Sequence, residues 1–136
     1  MHSSDLSSTQ RSPWISAGRA HVFNNWIHDT DTHGTRSGRS QSQKNLNFQH
    51  SGIAEIITQH NVYENIGTQT LVASTDAQVN EGFIESVNDQ TNGGVTKGNV
   101  TFKSTPSLFN IPYDCNDLLL PTDQVKAHVQ EVAGAS

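Results

Sequence analysis

The 136-residue sequence predicts an all-β domain that ends in one short helix. Five short runs of β-branched and aromatic residues alternate with stretches of Ser, Thr, Asn and Gly, a pattern typical of strands joined by turns. Before residue 120 no segment keeps apolar residues at three- and four-residue spacing for three turns, so no helix is predicted there. The five runs lie at residues 20–23, 53–57, 69–73, 81–87 and 99–103.

The C-terminal residues 121–134 are the exception to this β pattern. Thr122 or Asp123 can cap a helix that starts here, and Gly134 is suited to its end. Apolar residues recur at helical spacing, so one face of the segment is apolar. That face consists of Val125, Val129 and Val132. We expect a short amphipathic helix folded back over the outside of the β body.

The composition excludes several classes of protein. The chain carries 13 acidic and 8 basic side chains, a net charge of −5, and lacks the clustered basic residues of a nucleic-acid-binding surface. Cys115 is the only cysteine, which excludes an internal disulfide and a zinc site with several thiolates. No run approaches the ~18 apolar residues of a membrane helix, and the first residues lack the features of a signal peptide. We expect neither a nucleic acid nor a membrane as partner.

An internal repeat is visible when residues 23–29 are aligned with residues 60–65. The aligned pairs are Asn25 with Asn61, Trp26 with Val62, Ile27 with Tyr63, His28 with Glu64 and Asp29 with Asn65. In a stack of short parallel strands, like residues lie above one another, and a stacked Asn can bond its neighbour along the axis. Chance similarity in an Asn-rich chain is the alternative.

The most distinctive motif is residues 9–25, TQRSPWISAGRAHVFNN. It resembles the segment RxPxxRxGxxHVxNN of the pectate lyases, the polysaccharide lyases of family 1. The matching residues are Arg11, Pro13, Gly18, His21, Val22, Asn24 and Asn25. Residues 57–65 resemble the next coil of that family, which typically reads ENNxFEN, and residues 111–114 and 120–135 resemble its C-terminal tail. The resemblance covers nearly the whole chain.

This resemblance implies both a fold and an activity. The fold is a right-handed parallel β-helix, in which three short strands form each turn and loops form a cleft along one side. Residues 1–136 would be the C-terminal portion of one such domain, with the upstream coils absent. The activity is that of a secreted, extracellular pectate lyase, monomeric in its full-length form, with acidic polysaccharide (pectate) as partner.

The chemistry implied by the resemblance is β-elimination of polygalacturonate. A base removes the proton at C5, next to the C6 carboxylate, and the glycosidic oxygen at C4 leaves. Cations on the carboxylate stabilise the developing negative charge, and calcium together with Arg or Lys supplies them. The family's calcium-binding carboxylates lie upstream of the motif, so we expect calcium as a cofactor with its ligands outside this chain. Residues 28–33 contain two His and two Asp, but no matching metal-ligand spacing follows, and a solvated loop is expected there.

Arg11 is the principal catalytic candidate, because it matches the residue that serves as the base in the family. An arginine is an awkward base, since its pKa exceeds ~12 and it stays protonated in proteins. Either the site lowers the pKa of Arg11, or Arg11 orients a hydroxide instead. For an arbitrary arginine the ordinary role is a surface ion pair.

The candidates for substrate binding are Ser16, Arg19, Arg36 and Arg39. Ser16 stands where the motif has a second Arg, so a neutral hydrogen bond replaces a charge-assisted contact. Arg19 is a possible substitute, although its odd offset along a strand points to the opposite face. Arg36 and Arg39 lie in a Gly- and Ser-rich stretch, which predicts either the wall of a polyanion cleft or a mobile surface loop.

Other motif residues are expected to be structural rather than catalytic. They are Pro13, Gly18, His21, Asn24, Asn25 and Asn61. Proline fixes the backbone of the loop that presents Arg11, His21 should lie within a strand, and the asparagines suit a turn because Asn tolerates left-handed conformations. The narrow apolar core is expected to contain Val22, Ile57, Val62, Leu71, Ile84 and Val100.

Two alternative functions stay open. A pectin lyase acts on methylated substrate and needs less cationic help, which the Ser at position 16 favours. A noncatalytic β-solenoid that binds polysaccharide has the same strand pattern without the chemistry.

Overall fold

The computed structural model describes residues 4–6, 14–15, 18–30, 33–38, 53–75, 81–92, 94–114 and 117–135. They form twelve strands followed by one helix. The strands are β1 (Ser4–Leu6), β2 (Trp14–Ile15), β3 (Gly18–Phe23), β4 (Asn25–Thr30), β5 (His33–Ser37), β6 (Ala54–Gln59), β7 (Val62–Ile66), β8 (Gln69–Ala73), β9 (Gly82–Val87), β10 (Gln90–Thr91), β11 (Val95–Gly98) and β12 (Val100–Lys103), and the helix is α1 (Thr122–Ala135). Each of the five predicted runs overlaps a strand, and three of them begin one residue before it, at Ile53, Glu81 and Asn99.

The strands are distributed over three parallel sheets, each of which takes every third strand. Sheet A has the order β1-β4-β7-β10, sheet B the order β2-β5-β8-β11, and sheet C the order β3-β6-β9-β12. The chain therefore passes from sheet A to sheet B to sheet C four times, and each pass forms one three-strand unit. The prediction of an all-β fold with one C-terminal helix is confirmed at this level.

The register of sheet A confirms the internal repeat. Trp26 pairs with Val62, and Ile27 with Tyr63, as the alignment of the two segments predicted. At the start of these strands the Asn61 Oδ1 atom accepts a hydrogen bond from the Asn25 backbone N–H at 2.9 Å. The Asn61 N–H in turn donates to the Asp89 carboxylate at 2.9 Å. One position in three successive units is thus joined by side-chain-to-backbone bonds.

Each passage from sheet C to sheet A turns through a left-handed residue. Asn24, His60 and Asn88 have φ angles of 54°, 54° and 53°. Asparagine adopts this conformation more readily than most other residues, because its short amide can bond locally. We call these three residues, together with the residue that follows each of them, the asparagine corner. It comprises Asn24, Asn25, His60, Asn61, Asn88 and Asp89.

The interior of the sheets holds most of the apolar residues that the sequence placed there. Val22, Leu71 and Ile84 belong to one buried cluster, and Val100 packs against it. The prediction for Val62 is wrong, because Val62 packs instead against Val125 and Val129 of α1 on the outside of sheet A.

The inward placement of Ile57 is also wrong. Its neighbour Ile56 belongs to the interior cluster, and successive residues of a strand face opposite sides. Ile57 is nevertheless fully buried, and it pairs in register with His21 and Glu85 on the outer face of sheet C. This face is covered by the segment that follows β12.

The described parts of that segment, residues 104–114 and 117–121, are called the strap, and they lie across sheet C between β12 and α1. The Glu85 carboxylate accepts hydrogen bonds from the Ser107 backbone N–H at 2.6 Å and hydroxyl at 2.6 Å, and from the Leu108 N–H at 2.9 Å. At its far end the Leu120 N–H donates to Asn24 Oδ1 at 2.8 Å, and the Leu120 carbonyl accepts from His60 Nδ1 at 2.8 Å. The strap is therefore pinned to the asparagine corner.

Helix α1 lies against the outer side of sheet A. Val125 and Val129 are buried there, as predicted, but Val132 is 57% exposed and the prediction for it is wrong. The helix ends at Ala135, one residue after the predicted end at Gly134. The Thr122 hydroxyl donates to the Asn88 carbonyl at 2.5 Å, so it anchors the helix to the corner. Within the described parts of the chain, no helix has the length and apolar character needed to cross a membrane.

Candidate functional site

A cleft opens on the outer face of sheet B. Its volume is about 350 Å³, and it is lined by Arg36, Gln69, Val72, Ala73, Ser74, Thr75, Lys97 and Gly98. The register of sheet B places Trp14, Arg36, Val72 and Lys97 in one row across β2, β5, β8 and β11. Their strand neighbours Thr35 and Leu71 are fully buried. Arg36, Val72 and Lys97 therefore belong to the outward-facing side of the sheet.

Arg36 supplies the cleft with a largely buried cation. The residue lies in β5 and is only 7% exposed, so the expectation of a mobile surface loop is wrong at this position. Its Nε atom donates to the Gly38 carbonyl at 3.3 Å, which helps to hold the side chain. A guanidinium keeps its charge when it is buried, and its planar fork matches a carboxylate.

Lys97 supplies a second cation that the sequence analysis did not select. It lies on the exposed strand β11, two strands away from Arg36, which corresponds to about 9.6 Å across a sheet. The pairing of β11 with β8 shifts register between Val95 and Lys97. Such bulges re-aim side chains and are common beside active sites. The one signal in the sequence is a lone lysine soon after the pair Gly93 and Gly94.

Gly98 allows β11 to lie close to β8 at one end of the cleft. A Cβ atom at this position would lie 1.7 Å from the Ala73 carbonyl oxygen, and the φ angle of Gly98 is 86°. Any side chain would therefore push β11 away from β8. The glycine allows the two strands that carry Lys97 and Val72 to approach closely.

The other predicted arginine in the described chain lies elsewhere. Arg19 is on β3 in sheet C, where its Nε atom pairs with the Glu55 carboxylate at 3.0 Å. Its guanidinium also lies 5.4 Å from the centre of the Phe109 ring. The structure therefore does not bring Arg19 to the sheet that carries Arg36, and Arg19 has the ordinary role of a surface ion pair.

Four of the predicted site residues lie outside the described residues. They are Arg11, Pro13, Ser16 and Arg39. Arg11 precedes Trp14 by three positions in the sequence, and Trp14 pairs with Arg36. Gly18, which the motif includes, begins β3 with a φ of 90°.

The motif residue His21 holds the strap to sheet C. It lies in β3, as predicted, and its ring bonds the Gln59 Oε1 atom through Nε2 at 3.0 Å and the Tyr113 hydroxyl through Nδ1 at 3.0 Å. Burial lowers the pKa of His21, although the bond to Gln59 works in the opposite direction. A neutral ring that donates from Nε2 and accepts at Nδ1 satisfies both partners. This geometry is that of a structural pin.

The motif asparagines are equally occupied with structural bonds. Asn24 takes the left-handed turn and bonds both the N–H and the carbonyl of Leu120. Asn61 is fully buried, and its amide donates to the Val22 carbonyl at 2.9 Å and to Asp89 at 3.0 Å. Both amide N–H groups of Asn24 and both of Asn61 therefore bond within the protein.

No cluster of three or more His, Cys, Asp or Glu residues suited to a metal ion occurs in the described ranges. His28 and Asp29 lie in strand β4 rather than in a solvated loop. The Asp29 carboxylate accepts bonds from Asn65 and His28 at 2.6 Å each, and these bonds, that of Asn65 first, lower its pKa. A calcium ion needs six to eight oxygen ligands. The described residues do not fit such a site.

Comparisons with protein-family models, with curated proteins and with solved structures found no match for this chain. The likeness to pectate lyases therefore stands on the motif in residues 9–25 and on the segments that follow it. The geometry of the cleft is an independent observation, because Lys97 belongs to none of these segments.

Proposed function

We propose that this chain is the C-terminal portion of a pectate lyase-like enzyme that cleaves polygalacturonate by β-elimination. In this proposal the three sheets are the sides of a right-handed parallel β-helix, and the four three-strand units are its coils. The polysaccharide lies along the coils on the outer face of sheet B. Secretion, a monomeric full-length form and calcium held by upstream coils complete the proposal.

The row of residues across sheet B is the observation that carries this proposal. Arg36 and Lys97 flank Val72 in one cleft, on strands two apart in the sheet, and the backbones of such strands are about 9.6 Å apart. A polyuronate presents carboxylates at regular intervals, so two cations along its path favour binding. Arg11 precedes β2 of this same sheet by only three residues.

The residues have distinct tasks in the proposed elimination. A base takes the C5 proton, the electron pair forms the C4–C5 double bond, and the C4–O bond breaks. The departing oxygen gains a proton from solvent. Arg11 is the proposed base or the group that orients a hydroxide, while Arg36 and Lys97 hold uronate carboxylates. No step is assigned here to calcium, because the described residues do not fit a site for it.

The two cations also favour an unmethylated substrate over a methylated one. A methyl ester carries no charge, so it gains little from Arg36 or Lys97. This argues for pectate rather than pectin as the substrate, despite the serine at position 16.

Binding to the 136-residue chain tests the role of the cleft. Isothermal titration with polygalacturonate should give measurable binding that weakens with added salt, and fully methylated pectin should bind less. Lys97→Gln should reduce the affinity for polygalacturonate several-fold. Lys103→Gln removes the same charge from exposed strand β12 of sheet C and should leave the affinity unchanged. Equal effects of the two variants, or a preference for methylated pectin, would remove the cleft from the proposal.

Catalysis is tested after the chain is joined to upstream coils. Formation of the unsaturated product is followed by its ultraviolet absorbance, with and without a chelator. Arg11→Lys should reduce turnover by orders of magnitude while KM stays near normal, because the residue acts in the transition state. Ser16→Arg should lower KM for the unmethylated substrate alone. Binding without any product in the wild type would instead support the noncatalytic β-solenoid.

A further inference from the structure

Three residues of the row across sheet B place an apolar side chain between two cations. Arg36 on β5, Val72 on β8 and Lys97 on β11 are consecutive partners in register, and all three line the cleft. Neighbouring strands of a sheet lie about 4.8 Å apart, so each residue occupies one step of this length. The two cations are therefore separated by two steps, with a valine at the step between them.

The valine at the centre offers no partner to a charged group. Val72 has an apolar side chain, and the residue is only 5% exposed. A carboxylate held against such a surface loses contact with water without gaining a hydrogen bond, which is unfavourable. The centre of the row therefore disfavours the charge that its two ends attract.

The two ends differ in how firmly they hold their cations. Arg36 is 7% exposed, and its Nε atom donates to the Gly38 carbonyl at 3.3 Å, so the guanidinium has a defined place. Lys97 is exposed on the last described strand of the sheet, and a lysine carries its charge on a flexible stem. Arg36 therefore fixes the position of one uronate, and Lys97 adjusts to a second one.

We propose that the cleft binds every second carboxylate of an extended galacturonan and tolerates a methyl ester on the sugar between them. This inference rests on the proposed function and narrows its substrate to chains whose esters leave alternate carboxylates free. One pyranose unit is about as long as the spacing of about 4.8 Å between strands. A chain that lies across the strands therefore sets one sugar over each of Arg36, Val72 and Lys97.

The spacing of the two cations matches one shape of the polysaccharide. In an extended chain with twofold symmetry, neighbouring sugars direct their carboxylates to opposite sides, and sugars two apart direct them to the same side. A threefold chain returns to the same side only after three sugars, which corresponds to three strands. Arg36 and Lys97 are two strands apart, as the twofold chain requires. The carboxylate of the middle sugar then points away from Val72 into solvent, so its esterification removes no contact.

A series of trigalacturonates tests the proposal on the 136-residue chain. The series consists of the triacid, the methyl ester of the middle sugar and the two methyl esters of an end sugar. Nuclear magnetic resonance titration of the isotope-labelled protein gives the dissociation constants, and the amide signals of Val72 and Lys97 report binding in the cleft. The middle ester should match the triacid within about twofold, and each end ester should bind about fivefold more weakly or worse. A middle ester as weak as the end esters would overturn the proposal.

The same series separates this proposal from the proposed function. A loss of affinity at every esterified position leaves a cleft that binds polyuronate and overturns only the alternation. A chain that binds none of the four compounds, or binds all four equally, removes polyuronate binding from the cleft. The inference is then overturned together with the proposed function.

A variant that removes one charge checks that each end binds its own carboxylate. Within these three positions, Lys97→Gln leaves Arg36 as the only cation, so at least one end ester should then bind as well as the triacid. Lys103→Gln removes the same charge from exposed strand β12 of sheet C, and both end esters should stay weak. Two undiminished losses in Lys97→Gln, or the disappearance of a loss in Lys103→Gln, would also overturn the proposal.

Discussion

The asparagine corner and the cleft on sheet B are built from the same three-strand units by opposite rules. At the corner, equivalent positions carry similar polar residues, and each is bonded to the unit beside it, as Asn61 is to Asn25 and Asp89. In the cleft the equivalent positions are Arg36, Val72 and Lys97, and the strand pairing is bulged. Repetition marks the positions that hold the stack together.

This difference separates the predicted site residues into two groups. His21, Asn24 and Asn25 are buried at sheet C or at the corner, and their bonds go to the protein itself. Arg36, outside the motif, faces the cleft. A resemblance that rests mostly on the first group therefore reports how the chain stacks, and the second group has to be located from the structure.

Breaking the corner should have the largest effect on stability. Asn61→Leu keeps the side-chain size, but it removes the hydrogen-bond partner of the buried Asn25 N–H and of the Val22 carbonyl. Two buried groups without partners should lower the free energy of unfolding by about 3 kcal/mol or more. Urea denaturation followed by circular dichroism measures this loss. Asn92→Leu, at an exposed position, is the control and should change the value by less than about 0.5 kcal/mol.

The strap should be the acid-sensitive part of the molecule. Burial alone raises the pKa of Glu85, but the bonds from Ser107 and Leu108 outweigh burial and hold the pKa below its ordinary value of 4.5. A carboxylate with a lowered pKa stabilises the fold above pH 4.5 and loses this contribution as the pH falls through the folded-state pKa. Glu85→Gln should cost about 1 to 2 kcal/mol at neutral pH and reduce the acid sensitivity.

Asp89 in the corner should respond to pH in the opposite direction. Burial raises its pKa above 3.8, although Ser86, Thr58 and Asn61 all donate hydrogen bonds to it. A carboxyl with a raised pKa in the folded state favours folding when protonated, and it loses that contribution as the pH rises through the folded-state pKa. Amide exchange at low pH should therefore release Ser107 and Leu108 while Asn61 stays protected. Simultaneous release of all three amides would contradict this separation.

The ion pair that fastens α1 should have a small effect. Lys126 Nζ lies 2.8 Å from the Glu64 carboxylate and 5.2 Å from the centre of the Trp26 ring. Both charged side chains are partly exposed, so Lys126→Gln should cost below about 1 kcal/mol, and less in high salt. Thermal melting at two salt concentrations measures the difference. A cost that is independent of salt would point to packing on Trp26 instead.

Lys97→Gln should have the smallest effect on stability. Lys97 is exposed, so we expect a change within about 0.5 kcal/mol by urea denaturation, even though polysaccharide binding weakens. Glu131→Gln, at an exposed position on α1, serves as the matched surface control. A large loss of stability on replacing Lys97 would assign the residue to the stack rather than to the cleft.

The repeated residues predict which strands pair and in what register, but they do not predict what packs against the outer faces of the sheets. The alignment of Trp26 with Val62 predicted the register correctly, because residues that bond across units have to match. Hydropathy could not tell that Val62 faces α1 while Tyr63 faces the interior, where the buried Thr35 hydroxyl satisfies the Tyr63 hydroxyl at 2.8 Å. The Gly- and Ser-rich neighbours of Arg36 suit turns, so they do not predict that Arg36 lies in strand β5.

The bond between Leu120 and Asn24 has a consequence for the order of folding. It joins residues 96 positions apart, whereas the hydrogen bonds within the asparagine corner join residues that are 36 and 28 positions apart. Long loops cost more entropy to close, so the short closures form first. During synthesis, the three-strand units emerge and stack before the strap has been made. Ile57 therefore stays exposed until the strap is synthesised. The last segment to be made therefore completes the burial of a strand that was made long before it.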